Sequence, residues 1–400
     1  MISLVALVLA GSLALRPNDA PQRTPLEQIA AQAEAGEADA LFKLAVAYQR
    51  GRGVKEDDAR AAVLYRQAAE KGDARAMANL GVMYSRGEGV PHDDTVALDW
   101  YRKAADAGSA KAMVMLGTRC AQGQGVEKNP AEALAWYRKA AEKGDETGMY
   151  LLGTALLRST ARAELADAHR WLRAAADAGH APAFTAIGTA LLNGTGVEAD
   201  HTEAVRHFRI AAELGDATAM ANLGIAHLEG TGVARSSDEG VRWLTRAAAL
   251  DDTLAMVALG DIHRNGIHVD ADLESAFAWY ERAANLGHPE AMAHCGAMYG
   301  DGKGTRKNGD KAFDWTQKAA RAGIAEAMLN LAAMYRDGIG TDPNQAEAYF
   351  WARAGAEKID ETRREGAERF ARKIGEQVTF QRRLAIQKRA SDFVVTHAGD

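Results

Sequence analysis

Among the residues that could bind a metal ion, three histidines have the most suitable spacing in the sequence. His227 and His263 are 36 residues apart, and His294 follows 31 residues later. If these residues lie on stacked helices, three imidazole nitrogens could converge on one ion. However, His227 and His263 occupy a repeated position that carries tyrosine elsewhere in the chain, which favours packed rings over metal ligands. The sequence therefore predicts neither a metal site nor a cofactor.

The chain carries no recognisable catalytic motif. It contains no Ser-x-x-Lys, His-Glu-x-x-His or Gly-x-Ser-x-Gly sequence. The two cysteines, Cys120 and Cys295, are too far apart for a disulfide framework, and Cys295 occupies a position that is usually leucine. We therefore expect a protein that is not an enzyme. An envelope hydrolase acting on cell-wall material, with residues recruited across repeats, is the alternative.

Paired glycines invite a phosphate-binding interpretation. The pairs are Gly51/Gly53, Gly87/Gly89, Gly123/Gly125, Gly194/Gly196, Gly230/Gly232, Gly302/Gly304 and Gly338/Gly340. A phosphate loop would follow a strand, whereas each of these pairs follows a segment with helical periodicity. A left-handed glycine that ends a helix explains them better.

The whole chain repeats at a fixed interval. Marker residues that close an Ala-rich run stand 36 residues apart, except for one step of 35; they are Gly36, Gly72, Gly108, Gly144, Gly179, Gly215, Asp251, Gly287 and Gly323. A period of this length is typical of helical solenoids. We therefore predict an all-α fold, a right-handed α/α superhelical solenoid of about nine helix-pair repeats of 36 residues, with terminal capping helices.

All seven tryptophans occupy one position in this repeat. They are Trp100, Trp136, Trp171, Trp243, Trp279, Trp315 and Trp351. Because a large aromatic side chain buries much apolar area, a shared position predicts that the indoles fill the seams between packed helices. The sequence therefore predicts core tryptophans rather than ligand-stacking ones.

Each repeat has room for two helices. The first, such as residues 74–86, carries a glycine in its middle, here Gly81, whose recurrence indicates close approach of the partner helix. The second helix is preceded by a residue suited to an N-cap. These residues are Asp57, Asp93, Asn129, Asp200, Ser236, Asp272, Asn308 and Asn344.

The ends and two repeats depart from the pattern. Thr24, Pro25 and Glu27 predict a capping helix over residues 24–36, before the solenoid at 36–356. Residues 357–400 are predicted to form C-terminal capping helices and a tail, and 358–390 contain ten Lys or Arg against five Asp or Glu. Repeat four lacks the glycine pair, and repeat seven has His268 in place of its second glycine. These two departures predict local bends.

Residues 1–20 begin with a short apolar run that resembles a signal peptide, although no Lys or Arg precedes it. We therefore expect a periplasmic, cell-envelope or secreted protein without a membrane span in the mature chain. A cytoplasmic adaptor is the alternative.

The net charge of −6 argues against nucleic acid as a partner. A monomer that binds protein or peptide partners is expected.

The repeat resembles the Sel-like repeat, a relative of the tetratricopeptide repeat. The best copies are residues 72–108 and 108–144, which share the pattern A-x-A-x-x-x-L-G, a glycine pair and A-x-x-W-Y-x-K-A-A. The resemblance extends over residues 36–356 and implies an α/α superhelix that acts as a non-catalytic scaffold or adaptor, often exported in bacteria. Some cysteine-rich relatives are described as penicillin-binding or β-lactamase-like, but this chain lacks their paired cysteines.

One position in the first helix carries polar residues beside the core leucine. Asn79, Asn222 and Asn330 share it with Lys43 and His294. In the related tetratricopeptide architecture the first helices line the concave surface, where such asparagines hold a peptide backbone. An amide can donate to a carbonyl and accept from an N–H together. We therefore predict that these five residues bind a partner, unless each asparagine instead bonds a neighbouring helix or loop.

Overall fold

The computed structural model describes residues 24–267 and 270–396. The predicted signal peptide at residues 1–20 and the departure at His268 lie outside the described residues. Throughout the described ranges the regular structure is helical, which confirms the all-α prediction. The helices are α1 (Pro25–Glu34), α2 (Ala38–Gln49), α3 (Asp58–Glu70), α4 (Ala74–Arg86), α5 (Asp94–Asp106), α6 (Ala110–Gln122), α7 (Pro130–Glu142), α8 (Glu146–Leu156), α9 (Arg162–Asp177), α10 (Ala181–Asn193), α11 (His201–Glu213), α12 (Ala217–Glu229), α13 (Ser237–Ala249), α14 (Thr253–Asn265), α15 (Leu273–Asn285), α16 (Pro289–Asp301), α17 (Gly309–Arg321), α18 (Ala325–Asp337), α19 (Gln345–Lys358), α20 (Glu361–Gly375) and α21 (Phe380–Thr396).

The chain forms two compact units, Met1–Gly179 and His180–Asp400. The described part of the first unit contains α1 and repeats one to four, and that of the second contains repeats five to nine with α20 and α21. In each unit the first helix of a repeat packs on its own second helix, and that second helix packs on the next first helix. Both units are therefore stacks of helix hairpins, as the 36-residue period predicts.

Most helices begin and end at the capping residues that the sequence predicts. All eight predicted N-cap residues accept a hydrogen bond from the first turn of their second helix; Asp57, for example, accepts from the Arg60 N–H at 2.9 Å. Six of the seven predicted glycine pairs supply a left-handed glycine that ends a first helix, such as Gly87 with φ 70°. In the first repeat the cap is Arg50, and left-handed Gly51 follows it, whereas α14 ends at the left-handed Gly266 of repeat seven. A side chain other than glycine is strained in this conformation, so the glycine pairs are helix ends rather than phosphate loops.

Repeat four is built differently, as its sequence suggests. Its first helix α8 ends at Leu156 and is followed by right-handed Leu157 rather than by a left-handed glycine. Its second helix α9 is lengthened to 16 residues and begins after Ala161, which provides no side-chain cap. This irregular hairpin is the last one of the first unit.

The glycine in the middle of the first helix makes room for a side chain of the second helix. A Cβ placed on Gly81 would lie 2.6 Å from the ring of Tyr101, and one on Gly260 would lie 2.5 Å from the ring of Tyr280. Such contacts are too short for real carbon atoms, so only the missing side chain allows the helices to approach. This confirms the predicted close approach of the partner helix.

The prediction that every tryptophan is a core residue is wrong. Only Trp351 is buried, at 5% exposure, whereas the other six indoles are half-buried at the edge of the core. The residue that follows the tryptophan position fills the seam; Tyr65, Tyr280 and Phe208 are at most 1% exposed. Because helical side chains rotate by about 100° per residue, only one of two neighbours can point straight inward.

In most repeats, a lysine or arginine side chain lies over the ring of the tryptophan. The Lys103 ammonium lies 4.4 Å from the Trp100 ring centroid, and the Lys139 ammonium 4.0 Å from that of Trp136. Arg246, Arg282 and Lys318 have the same spacing from their tryptophans. The tryptophans therefore keep one repeated position, as predicted, but most lie at the edge of the core with a charged side chain over the ring.

Helices cover the first and last repeats. Thr24 and Glu27 form the predicted capping box at the start of α1, which packs on α2. Helices α20 and α21 pack on α19, and Phe393 of α21 lies edge-on to Trp351 at 5.4 Å. No helix in the described ranges is long and apolar enough to cross a membrane.

Candidate partner-binding surface

The polar position singled out in the sequence lies on a partly exposed strip of the first helices. We call the residues at this position the first-helix surface: Lys43, Asn79, Met115, Leu151, Ala186, Asn222, Ala258, His294 and Asn330. Each is half-buried or exposed, whereas the next residue along the helix is buried in eight of the nine repeats. The repeat therefore presents one side chain per first helix beside a closed core.

The five predicted site residues fall into two groups. Lys43 on α2 and Asn79 on α4 lie in consecutive repeats of the first unit. Asn222 on α12, His294 on α16 and Asn330 on α18 lie in the second unit, where His294 and Asn330 are in consecutive repeats. Each group can be described by itself as a short polar array.

In the first unit, Lys43 belongs to an exposed ion-pair network. Its ammonium lies 2.6 Å from a carboxylate oxygen of Asp39, and the guanidinium of Arg75 lies 2.8 Å from the other oxygen. Hydrogen bonds from Lys43 and then from Arg75 lower the pKa of Asp39. Because all three side chains are more than half exposed, the network is weak and open to exchange with a ligand.

Asn79 lies beside a tyrosine hydroxyl that reaches up from the second helix of the preceding repeat. The Tyr65 hydroxyl donates to Gln49 Oε1 at 2.8 Å and also interacts with the Asn79 side chain. Burial raises the pKa of Tyr65, and the interaction with Asn79 offsets part of this rise. One partner of Asn79 is therefore within the chain, while its other hydrogen-bonding groups can serve a ligand.

The equivalent place in the second unit holds four polar side chains. The Tyr280 hydroxyl donates to Asp261 Oδ1 at 2.7 Å, and an Arg264 nitrogen lies 2.8 Å from the same oxygen. Arg264 Nη1 lies 3.3 Å from His294 Nδ1. The imidazole lies on the Tyr280 ring, with centroids 4.5 Å apart and planes inclined by 33°. These four residues form a connected polar cluster at the first-helix surface.

His294 is held in its neutral form in this cluster. Its burial lowers its pKa, and the charge of Arg264 lowers it further. Asp261 and Glu290 act in the opposite direction but do not reverse the effect. Burial also raises the pKa of Tyr280, and this tyrosine donates a hydrogen bond to a carboxylate, which favours its neutral form.

Asn330 lines a cleft, and Asn222 does not share its surroundings. The cleft has a volume of about 480 Å³ and lies between α18 and α20. Glu326, Thr362, Arg363 and Arg369 also line it, and Arg363 pairs with Glu326 at 2.6 Å. In the part of the chain that the structure describes, the side chains of Asn222 and Asn330 hydrogen-bond to no other residue. Their amides are therefore available to a ligand.

Family models match the chain nine times. The Sel1 repeat model matches residues 38–73, 74–109, 110–145, 147–180, 185–216, 217–252, 253–288, 289–324 and 325–360. The chain belongs to the Sel1 repeat family. Sel1 repeat proteins generally mediate protein–protein interactions and generally act as non-catalytic scaffolds. The resemblance seen in the sequence is thus confirmed.

Several solved structures are similar to this chain. A protective antigen of uropathogenic Escherichia coli with an SLR fold is 24% identical, with a TM-score of 0.53 over 92% of this chain and 97% of that one. A Sel1 repeat protein from Oxalobacter formigenes is 26% identical, with a TM-score of 0.43 over 88% and 91%. Yeast Tom70 is 15% identical, with a TM-score of 0.49 over 92% and 84%. Of these three likenesses, only that to the Escherichia coli antigen supports the fold. A comparison with curated proteins found no match.

The three histidines of these Sel1 repeats do not assemble a metal site. Within residues 24–267 and 270–396 no three His, Cys, Asp or Glu side chains are placed to hold an ion. His294 stacks on Tyr280, whereas His227 and His263 have buried Nδ1 atoms without a partner. Tyrosines at the position of these two histidines bond to second helices; Tyr299, for example, donates to Glu281. The interpretation as ring substitutes fits this packing.

Neither cysteine has the environment of a nucleophile. Burial raises the pKa of the Cys295 thiol to about 12, and the charge of Glu281 adds to this. Burial also raises the pKa of Cys120. Because the thiolate rather than the thiol attacks, these Sel1 repeats hold both cysteines in an unreactive state.

Sequence reasoning missed the residues that support the polar position. Tyr65 and Tyr280 follow the tryptophan position on the second helix, and Asp261 and Arg264 lie one turn apart on α14. Asp261 and Arg264 are three residues apart, a spacing that suits an ion pair on one helix face, so the sequence alone could have predicted this pair. The contact of Arg264 with His294, 30 residues further along the chain, could not be predicted without knowing how successive Sel1 repeats stack.

Proposed function

We propose that this chain is a non-catalytic scaffold that binds a peptide or protein partner along the first-helix surface. The observation that carries the proposal is that this position stays half-buried or exposed in all nine repeats, while its neighbour is buried in eight of them. A solenoid that repeats one accessible position offers a partner an extended array of contacts. The general role of Sel1 repeat proteins in protein–protein interactions supports the same conclusion.

The side chains on this surface suit an extended peptide. The unpartnered amides of Asn222 and Asn330 can each donate to a carbonyl and accept from an N–H of a peptide backbone. Lys43 and Asn79 provide a charge and a second amide in the first unit, and His294 adds an imidazole in the second. In the first unit, the apolar members Met115 and Leu151 offer contacts for apolar side chains of the peptide.

The proposal includes export of the chain. Residues 1–20 resemble a signal peptide, and a periplasmic, envelope or secreted location would follow from its cleavage. The mass of the chain recovered from the envelope and soluble fractions of the producing cell tests this point. A full-length chain confined to the cytoplasm would overturn the export proposal and leave the scaffold proposal intact.

The test of the scaffold begins with selection of ligands from a library of random twelve-residue peptides. Affinities of the selected peptides are then measured for the wild-type chain and for Asn79→Ala and Asn222→Ala. We expect each substitution to weaken binding by about 1 kcal/mol per lost hydrogen bond, because the variant leaves a peptide group unpaired. Calorimetric titration provides the affinities, and circular dichroism checks the helix content.

Asn285→Ala is the matched control. Asn285 is exposed at the end of α15, a second helix, and lies away from the first-helix surface. We expect this variant to bind as the wild type does. If Asn79→Ala and Asn222→Ala keep both fold and affinity, or if Asn285→Ala loses affinity equally, binding does not take place on the first-helix surface.

A further inference from the structure

The cluster on α14–α16 determines which nitrogen of His294 carries the proton. Arg264 can only donate hydrogen bonds, so the nitrogen that it approaches at 3.3 Å, Nδ1, must accept. A neutral imidazole has one acceptor and one donor nitrogen. The proton of neutral His294 therefore resides on Nε2.

The ring is also fixed in orientation. Its face lies on the Tyr280 ring at 4.5 Å, and the hydroxyl of Tyr280 is tied to Asp261 at 2.7 Å. Arg264 holds the edge of the imidazole and is itself tied to Asp261 at 2.8 Å. The stacking fixes the plane of the ring, and the Arg264 contact opposes a 180° flip, because a flip would turn Nδ1 away from Arg264.

The remaining nitrogen of His294 is Nε2, which carries the proton. Throughout the described ranges, no side chain or carbonyl accepts a hydrogen bond from Nε2 of His294. This atom is not among the fully buried polar atoms that lack a partner in those ranges, so it is not completely shielded from solvent. The cluster therefore leaves one unpaired N–H at the first-helix surface.

We propose that Arg264 and Tyr280 position His294 as a fixed Nε2–H donor that recognises an oxygen acceptor of a bound peptide. The inference rests on the proposed function for its ligand, but the tautomer belongs to the free protein. The acceptor is a main-chain carbonyl or a terminal carboxylate, which share the same oxygen chemistry. Arg264 and Tyr280 act through His294, and His294 makes the contact.

The first experiment needs no ligand. Long-range ¹H–¹⁵N correlation spectra of the full chain labelled with ¹⁵N-histidine distinguish the two tautomers of each imidazole. We expect His294 to show the Nε2–H form in the wild type and in Tyr280→Phe, which keeps the ring. In Arg264→Met, which removes the donor to Nδ1, we expect a mixture of both forms. An Nδ1–H form or a mixture in the wild type would overturn the inference and leave the scaffold proposal standing.

The second experiment uses the peptides selected from the random twelve-residue library. His294→Gln keeps an N–H donor, and His294→Leu removes it. We expect the first variant to bind within about twofold of the wild type and the second to bind about five- to tenfold more weakly, the effect of one hydrogen bond. Peptides with free and amidated C-termini distinguish a carboxylate from a main-chain carbonyl, since only the carboxylate contact is lost on amidation.

His207→Leu is the matched control for the change of histidine to leucine. His207 lies on the second helix α11, where its Nδ1 is 3.0 Å from the Glu203 carbonyl oxygen. We expect this variant to bind every selected peptide as the wild type does. Equal binding by His294→Leu and the wild type would overturn the donor role of His294. Failure to select any peptide would instead count against the proposed function, with the tautomer still decided by the spectra.

Discussion

Two places in the molecule use the same tyrosine position for different chemistry. In the first unit the Tyr65 hydroxyl meets the neutral side chains of Gln49 and Asn79. In the second unit the Tyr280 hydroxyl meets the Asp261 carboxylate, and its ring supports His294. Both tyrosines are fully buried, and their hydroxyls donate to side chains of first helices, Gln49 and Asp261. The repeat therefore fixes the geometry of this surface and leaves its polar chemistry free to vary.

The two places also differ in the small residue that the tyrosine passes. Gly260 leaves its side free for the Tyr280 ring, with 2.5 Å to the nearest ring atom from an added Cβ. In the first repeat Ala45 stands at the position of this glycine and is itself fully buried beside the core that contains Tyr65. The requirement at this position is thus for a small residue.

The largest expected effect comes from removing the tyrosines. Tyr65→Ala and Tyr280→Ala should each lower the free energy of unfolding by about 3–5 kcal/mol, because each leaves a cavity in a closed seam. Chemical denaturation measures this loss. The pKa of His294, measured by NMR titration, distinguishes the two variants. It should rise towards the ordinary histidine value in Tyr280→Ala and stay unchanged in Tyr65→Ala. A similar rise in Tyr65→Ala would show that the two places are coupled rather than independent.

A smaller effect is expected from filling the space beside Tyr280. Gly260→Ala should destabilise the chain because overpacking costs about 1–3 kcal/mol, although the gain in helix propensity of about 1 kcal/mol offsets part of it. Gly300→Ala is the matched control, since an added Cβ there has no neighbour nearer than 3.8 Å on the same kind of helix. This control should stabilise the chain. Denaturation midpoints that move the same way in both variants would contradict the steric explanation of the repeated glycine.

The smallest expected effect is a dependence on pH that arises at His294 and has no counterpart at Asn79. Folding lowers the pKa of His294, so between its ordinary value near 6.5 and its folded value only the unfolded chain takes up a proton. The free energy of unfolding should therefore fall as the pH drops below about 6.5. Compared with His294→Gln, the wild type should lose more stability on acidification in denaturant titrations. Parallel pH profiles would mean that His294 is not held neutral by folding.

Much of this architecture could be predicted from the sequence because its causes are local. A capping side chain such as Asp57 and a left-handed glycine such as Gly87 act within one helical turn, and their spacing repeats along the chain. The prediction for the tryptophans was wrong because neighbouring side chains on a helix point in directions about 100° apart. A position shared by all repeats shows that the tryptophans are equivalent, but not in which direction they point. Trp100 and Tyr101 are adjacent, yet only Tyr101 points into the seam.

The candidate site was predicted only as a position, not as a set of contacts. Asn79 and His294 were found because polar residues recur beside a core leucine. Their supports, Tyr65 and Tyr280, belong to the second helix of the preceding repeat, so the contact depends on how consecutive hairpins stack. No pattern within a single repeat contains that information.

The half-buried indoles give the stack a built-in optical reporter. Six of them are partly exposed to solvent, whereas Trp351 of α19 is buried and packs against Phe393 of α21. Emission from Trp351 should be blue-shifted relative to the other six, and undocking of the terminal helix α21 would wet this one fluorophore. The colour of the emitted light therefore distinguishes fraying at the C-terminal end from unwinding elsewhere, without any attached dye.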